Sequence, residues 1–301
     1  MKIIFCEDPI SENNPDSMYI DEVAAATHVG LEFELIDYKA LVEHNNAARA
    51  VRDIAARDEI EAAVYRGWMI SAKQYAALYD ALMSRGIQLL NDSVQYTHTH
   101  HLPKSLPIIK AQTPRTVWME TDGKHLSYDA IMELLLPFAG RPLILKDFVK
   151  SEKHYWFEAC YISSASDISA VETVVKRFLE LRGDSLEGGL VFREFVDFMP
   201  LIEHPRSQIP LVKEYRIFFL NAQPIATVRY WDVEGYDESD EPGSELFADV
   251  AQQIGSRFFT MDVAQRSDGE WMIVELGDGQ VATLPTDIDL DDFYQMLARA
   301  Q

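Results

Sequence analysis

Asp262 and Glu275 stand in two runs of strand-forming residues, Phe258–Gln265 and Trp271–Leu276. Between them lies the turn signal Ser267-Asp268-Gly269-Glu270. If Asp268 and Gly269 form the loop, Ser267 faces Glu270 and Asp262 faces Glu275; a four-residue loop on the same centre keeps that pairing. Both carboxylates then share a face with Ala264 and Ile273, and Met261, Val263, Met272, Val274 and Leu276 form the apolar face. Like charges directly opposed in a sheet repel, so something compensates. Mg²⁺ is the simplest candidate: it is hard, takes one or two carboxylates and completes its shell with substrate phosphates. Asp278, between Gly277 and Gly279, is a third candidate ligand. The alternative is a hairpin whose carboxylates are solvated.

Phosphates need cations. Lys146 lies near the end of the apolar run Pro142–Phe148, and Lys150 and Lys153 follow in the next loop. Such a lysine meets an anion or snorkels to water; three together hold phosphates as point charges. Arg216 and Arg229 lie in runs flanking Asn221-Ala222-Gln223 and share a sheet face for any even-numbered loop. Arg66 follows the strand-like Ala62–Tyr65 and is a candidate anion contact, with a surface arginine in a turn as the alternative. No Walker A sequence is present. Glu194-Phe195-Val196 ends a strand and offers backbone groups to an adenine edge, or is an ordinary interlobe strand. Thr97-His98-Thr99-His100-His101 lacks the spacing of a helical metal pair and reads as a polar linker.

The elements that position these residues fall into three parts. Residues 1–104 alternate strands and helices, which predicts a small parallel α/β domain. Residues 105–195 read as strands around one clear helix, Ser169–Arg182, and residues 196–301 as an antiparallel lobe with the hairpin. Asp237–Glu241 reads as a solvated acidic loop. The 301 residues are 48% hydrophobic, enough for sizeable cores, with no run long enough to span a membrane. A formal charge of −22 disfavours general nucleic-acid binding. The opening MKIIFCEDPI is a strand rather than a signal peptide, and the 2 cysteines, Cys6 and Cys160, read as buried thiols of a cytoplasmic protein.

In this order the parts and motifs resemble the ATP-grasp superfamily, in a divergent bacterial and phage clade with a glutathione-synthetase-like ATP-binding fold. The resemblance implies an α/β fold, α+β in its C-terminal lobes, with an N-terminal Rossmann-like pre-ATP-grasp domain. It implies Mg-ATP between the two lobes, with Lys146 on the α- and β-phosphates, Glu194 to Val196 at adenine, Arg216 near the transferred phosphate, and Asp262 and Glu275 on Mg²⁺. Lysines replace the family's glycine-rich flap at Val149 to His154, and Gly277 stands where the family commonly has Asn. The implied reaction joins a small-molecule or peptide carboxylate to an amine through an acylphosphate, with Arg66 and Arg229 as candidates for the acceptor carboxylate. Rival expectations are a phosphotransferase or nucleotidyltransferase on the same site, or a non-catalytic nucleotide-binding module; a homodimer is compatible with all of them.

Overall fold

The computed structural model describes residues 1–11, 13–203, 210–236 and 241–299. The acidic stretch expected at 237–241 lies, except for Glu241, outside the described residues. The fold is mixed α/β. Strands β1 (Lys2–Cys6), β2 (Glu32–Ile36), β3 (Glu61–Arg66) and β4 (Ile87–Leu89) form a parallel sheet in the order β2-β1-β3-β4. Every residue of β1 is buried, as expected of a parallel strand covered on both faces. The helix Ala72–Met83 starts at a Ser71–Gln74 capping box.

A second sheet, here the small sheet, holds β5 (Thr116–Glu120), β6 (Leu143–Lys146), β7 (Tyr161–Ile162) and β8 (Gly189–Glu194) in the order β5-β8-β6-β7. The helix Ile168–Arg182 buries Val171, Val174, Val175 and Phe178 against it. The stretch before β7 is a π-helical turn over Trp156–Cys160. Strands β9 (Pro200–Glu203) and β10 (Pro210–Val212) pair with each other. The large sheet contains β11 (Glu214–Leu220), β12 (Gln223–Arg229), β13 (Phe258–Gln265) and β14 (Trp271–Asp278) in the order β12-β11-β13-β14. One core cluster unites Ile3, Phe5 and Val64 of the parallel sheet with Phe218 and Phe258 of the large sheet and Phe293 of the helix Leu290–Ala298. No helix among the described residues is long and apolar enough to cross a membrane.

The β13–β14 hairpin reaches its expected pairing by two departures that cancel. Its loop has three residues, Ser267–Gly269, closed by Arg266 N–H to Glu270 O at 2.8 Å, with Gly269 at φ +90°. That odd loop offsets the ladder by one, so Val263 faces Ile273. A bulge at Val274 then restores Asp262 opposite Glu275. Ile273 consequently lies in the apolar core with Met261 and Val263, not beside the carboxylates as expected. A second bulge, at Ile225, follows the two-residue loop Asn221-Ala222, whose φ values are 48° and 61°. Arg216 therefore faces Val228 while Arg229 faces Tyr215. The two arginines lie on opposite faces, against the expectation from loop length.

All of the expected linker Thr97–His101 except its last residue belongs to a helix, Ser93–His100, capped by Asp92. Tyr96, Thr99 and His100 form its buried face. Three and four residues separate them, the helical spacing, but their polar types hide the signal.

Candidate active site

Pleating gathers one polar face on the large sheet. Glu214 faces Ala264, Arg216 faces Asp262, Asp262 faces Glu275 and Thr260 faces Gly277. This face forms one wall of a cavity of about 370 Å³ whose lining includes Arg216, Tyr230, Asp262 and Glu275. Arg216 closes a fork on Asp262, with Nε to Oδ1 and Nη2 to Oδ2 both 2.8 Å. Its Nη1 donates to Thr283 O at 3.1 Å, and its guanidinium lies 4.8 Å from the Tyr230 ring centre. Burial opposes the charge on Arg216, but Asp262 outweighs it and the guanidinium pKa is raised.

Glu275 has its own cation. Lys146, 5% exposed at the end of β6, donates from Nζ to Glu275 Oε1. Burial pushes the Glu275 pKa up; Lys146, then Lys153 and Arg193, outweigh burial and hold it below its ordinary value. The opposed carboxylates are thus compensated by protein cations. Two hard carboxylates on a cavity wall also suit one Mg²⁺ that completes its shell with phosphate oxygens. Among the described residues no three His, Cys, Asp or Glu side chains converge to hold a metal by themselves.

Residues 138–297 match the model of an ATP-grasp domain, R2K clade family 3. The chain belongs to this ATP-grasp family. Lys146, Arg216, Asp262 and Glu275 all lie inside the matched ATP-grasp domain. Among solved structures the chain resembles the ATP-grasp ligase PsnB, complexed with a phosphomimetic variant of a minimal precursor, Mg and ADP, at 14% identity and TM-score 0.56, over 99% of this chain and 96% of that one. It also resembles D-cycloserine synthetase DcsG, at 15% identity and TM-score 0.61, over the whole of both chains. A third is an ATP-grasp RimK domain protein from Sphaerobacter thermophilus DSM 20745, at 14% and TM-score 0.60, over 99% and 98%. No curated protein matches.

Other expected site residues of the ATP-grasp protein are placed differently. Asp278 belongs to β14, where it faces Phe259. Three residues beyond Glu275, it points to the other side of the strand. It accepts from Asn91 Nδ2 at 2.6 Å and from Gln280 N–H at 3.0 Å, and burial raises its pKa to about 6. Asp278 lines the same cavity as the pair, but its oxygens are already held by Asn91 and Gln280. Arg66 is 1% exposed and fully engaged. Its Nε and Nη2 hold Glu22 at 2.9 and 3.1 Å, and its Nη1 reaches the carbonyls of Gly279 and Ala282 at 2.7 and 2.9 Å. It clamps the chain after β14 to the N-terminal sheet rather than awaiting an anion. Arg229 lies over Tyr236, 5.5 Å from the ring centre, away from the Asp262 face.

The loop after Lys146 is organised by Asp147, which sequence reasoning passed over. Asp147 is fully buried, accepts from the N–H groups of Val149 and Lys150, and takes Arg182 Nε at 3.0 Å. Lys150 extends from this turn into solvent. Lys153 is exposed; packing around its ammonium opposes the charge, yet Glu214, then Tyr230 and Glu275, outweigh that and raise its pKa. Glu194 pairs with Arg141 at 2.5 Å, and its N–H donates to Arg115 O; the Phe195 N–H donates to Pro142 O at 2.9 Å. Val196 follows, half-buried. Two further charged groups were missed. Glu214, two residues from Arg216 and so on its face, is 5% exposed, and its pKa is pushed up to about 7 by burial against the pull of Lys153. Arg193 is 7% exposed and donates to Val274 O at 2.6 Å and Thr113 Oγ1 at 2.7 Å. The signal for Glu214 was the alternation Glu214–Arg216; Arg193 gave none, because its acceptor is the carbonyl of a bulge residue.

Proposed function

We propose that the protein is an ATP-dependent ligase that activates a small-molecule or peptide carboxylate as an acylphosphate and transfers the acyl group to an amine or another nucleophile. One observation carries the reading: Asp262 and Glu275 face each other on a cavity wall, each held by a cation, Arg216 from the adjacent strand and Lys146 from the opposite sheet. Asp262 and Glu275 would hold Mg²⁺, which supplies charge neutralisation at the phosphates. Lys146, with Lys150 and Lys153 after it, would hold phosphate oxygens, and Arg216 the phosphoryl group in transfer. Glu194 to Val196 would border the nucleotide base. A substrate carboxylate oxygen attacks the γ-phosphorus and ADP leaves; the nucleophile then attacks the acyl carbon, phosphate leaves and a proton passes to solvent. The protein's part is to position and to neutralise charge. The PsnB complex with Mg and ADP, and the synthetase DcsG, support a ligase with this cosubstrate.

Product analysis with ATP, Mg²⁺ and hydroxylamine, which traps acylphosphates as hydroxamates, tests the reading. ADP, phosphate and a hydroxamate are expected. A phosphoester points to a kinase and AMP to nucleotidyl transfer; either outcome overturns it.

A further inference from the structure

His100 closes the helix Ser93–His100 and lines the same cavity as Asp262 and Glu275. It is 4% exposed, and its Nε2 is buried without a hydrogen-bond partner. Its orientation is set by packing. The ring lies 4.7 Å from Tyr96, and Tyr96 stacks on Tyr75 at 3.9 Å while donating from its hydroxyl to Ile70 O. An unmet polar atom in such a place is costly, and proteins retain one where a ligand or a water meets it. Burial drives the His100 pKa down to about 4, although Glu187 pulls the other way. The imidazole is neutral at pH 7 and too weak a base to deprotonate an amine, so hydrogen bonding is the chemistry left to it. Met69, Leu276 and Val281 also line the cavity, and its carboxylates Asp262, Glu275 and Asp278 are already held by Arg216, by Lys146, and by Asn91 with Gln280, which leaves no free charge to pair with a charged group there.

We propose that His100 is a recognition residue for the acceptor, its Nε2 bonding an uncharged amide or hydroxyl group of the carboxylic acid that the enzyme activates. This rests on the ligase reading. The acid thus carries two handles: a carboxylate for the cationic end of the cavity and a neutral polar group for His100.

The full-length protein is assayed with Mg-ATP and hydroxylamine on N-acetyl amino acids and dipeptides, each beside a straight-chain fatty acid of matched length. Wild type is expected to favour the amide-bearing acids by about tenfold in kcat/KM. His100→Leu should lose that preference through KM, and His100→Gln should recover part of it. Both should keep the full melting shift with Mg-ADP. Because His100→Leu removes an unmet polar atom, the free variant should melt no lower than wild type. A preference that survives His100→Leu, as it would if His100 holds only a buried water, overturns the inference. So does the absence of turnover of every amide-bearing acid, or a His100→Leu protein that melts several degrees lower. A wild type with no Mg-ADP shift overturns the ligase reading instead.

Discussion

Lys146 and Glu275 come from different sheets and meet at the cavity, the ammonium donating to Glu275 Oε1. The lysine side chain is 6% exposed and the glutamate's 32%. Any phosphate that takes Lys146 competes with this bond. On the proposed reading, nucleotide binding at Lys146 is thereby coupled to the contact between the two sheets.

Lys146→Ala should cost stability as well as affinity. Removing one partner of a fully buried pair costs about 3–5 kcal/mol; with Glu275 a third exposed, roughly 1–2 kcal/mol is expected in urea unfolding. Lys124→Ala, in an exposed turn, should cost almost nothing. At ligand near 100 times Kd wild type should gain about 2.7 kcal/mol from Mg-ADP. The Lys146 variant should lose most of that gain and the Lys124 variant none. Equal titrations would leave Lys146 outside the nucleotide site.

Glu275→Gln separates two effects of opposite sign. Neutralising one of two opposed carboxylates relieves a repulsion of about 0.2–1 kcal/mol. It also strips Lys146, nearly buried, of its counter-charge, which costs about 1.5–3 kcal/mol. The second effect is larger, so the metal-free variant should be less stable than wild type by about 1 kcal/mol. It should also lose the Mg-nucleotide shift. Melting curves in chelator and in Mg-ADP measure both; a variant more stable than wild type in chelator would show that the repulsion dominates.

Arg216→Lys keeps the charge and loses the fork. One ammonium cannot reproduce the two 2.8 Å bonds to Asp262 and the contact with Tyr230 together. Hydroxamate formation should fall by at least about tenfold, with stability lower by about 1 kcal/mol. A wild-type rate in the lysine variant would place the transferred group elsewhere.

The buried Asp278 makes stability depend on pH. Its pKa is raised to about 6 in the folded protein, so the folded state holds its proton more tightly than the unfolded chain. Stability from this group is present at low pH and is lost as pH rises from about 4 through about 6. Glu214, raised to about 7, acts in the same direction over a higher range. Asp278→Asn should flatten the fall between about pH 4 and 6 and leave the part due to Glu214. Urea unfolding across that range measures the slope; an unchanged slope would show that Asp278 is ionised throughout.

The order of elements was legible because hydrophobic alternation and turn residues are local signals. The facing of Asp262 and Glu275 was also legible, although for an incomplete reason: a three-residue loop and the Val274 bulge each broke the expected register, and together they restored it. Where one bulge acted alone, at Ile225, the expectation for Arg229 failed. Nothing local marks a bulge at either place. Arg66 was misread because its partners, Glu22 and the carbonyls of Gly279 and Ala282, are remote in the chain. Gly277 and Gly279 on either side of Asp278 hid the end of β14, which Asp278 closes.

The Val274 bulge also bears on solubility. β14 is an edge strand, and an edge with unpaired backbone groups is a template for another chain. Here Ile273 N–H donates to Gln112 O and Ile273 O accepts from Thr113 Oγ1, both at 2.7 Å, while Arg193 takes the Val274 carbonyl. The rim of the strand that carries Glu275 is thereby capped from within its own chain. Arg193, Thr113 and Gln112 thus occupy the backbone groups to which a strand of another chain would otherwise pair.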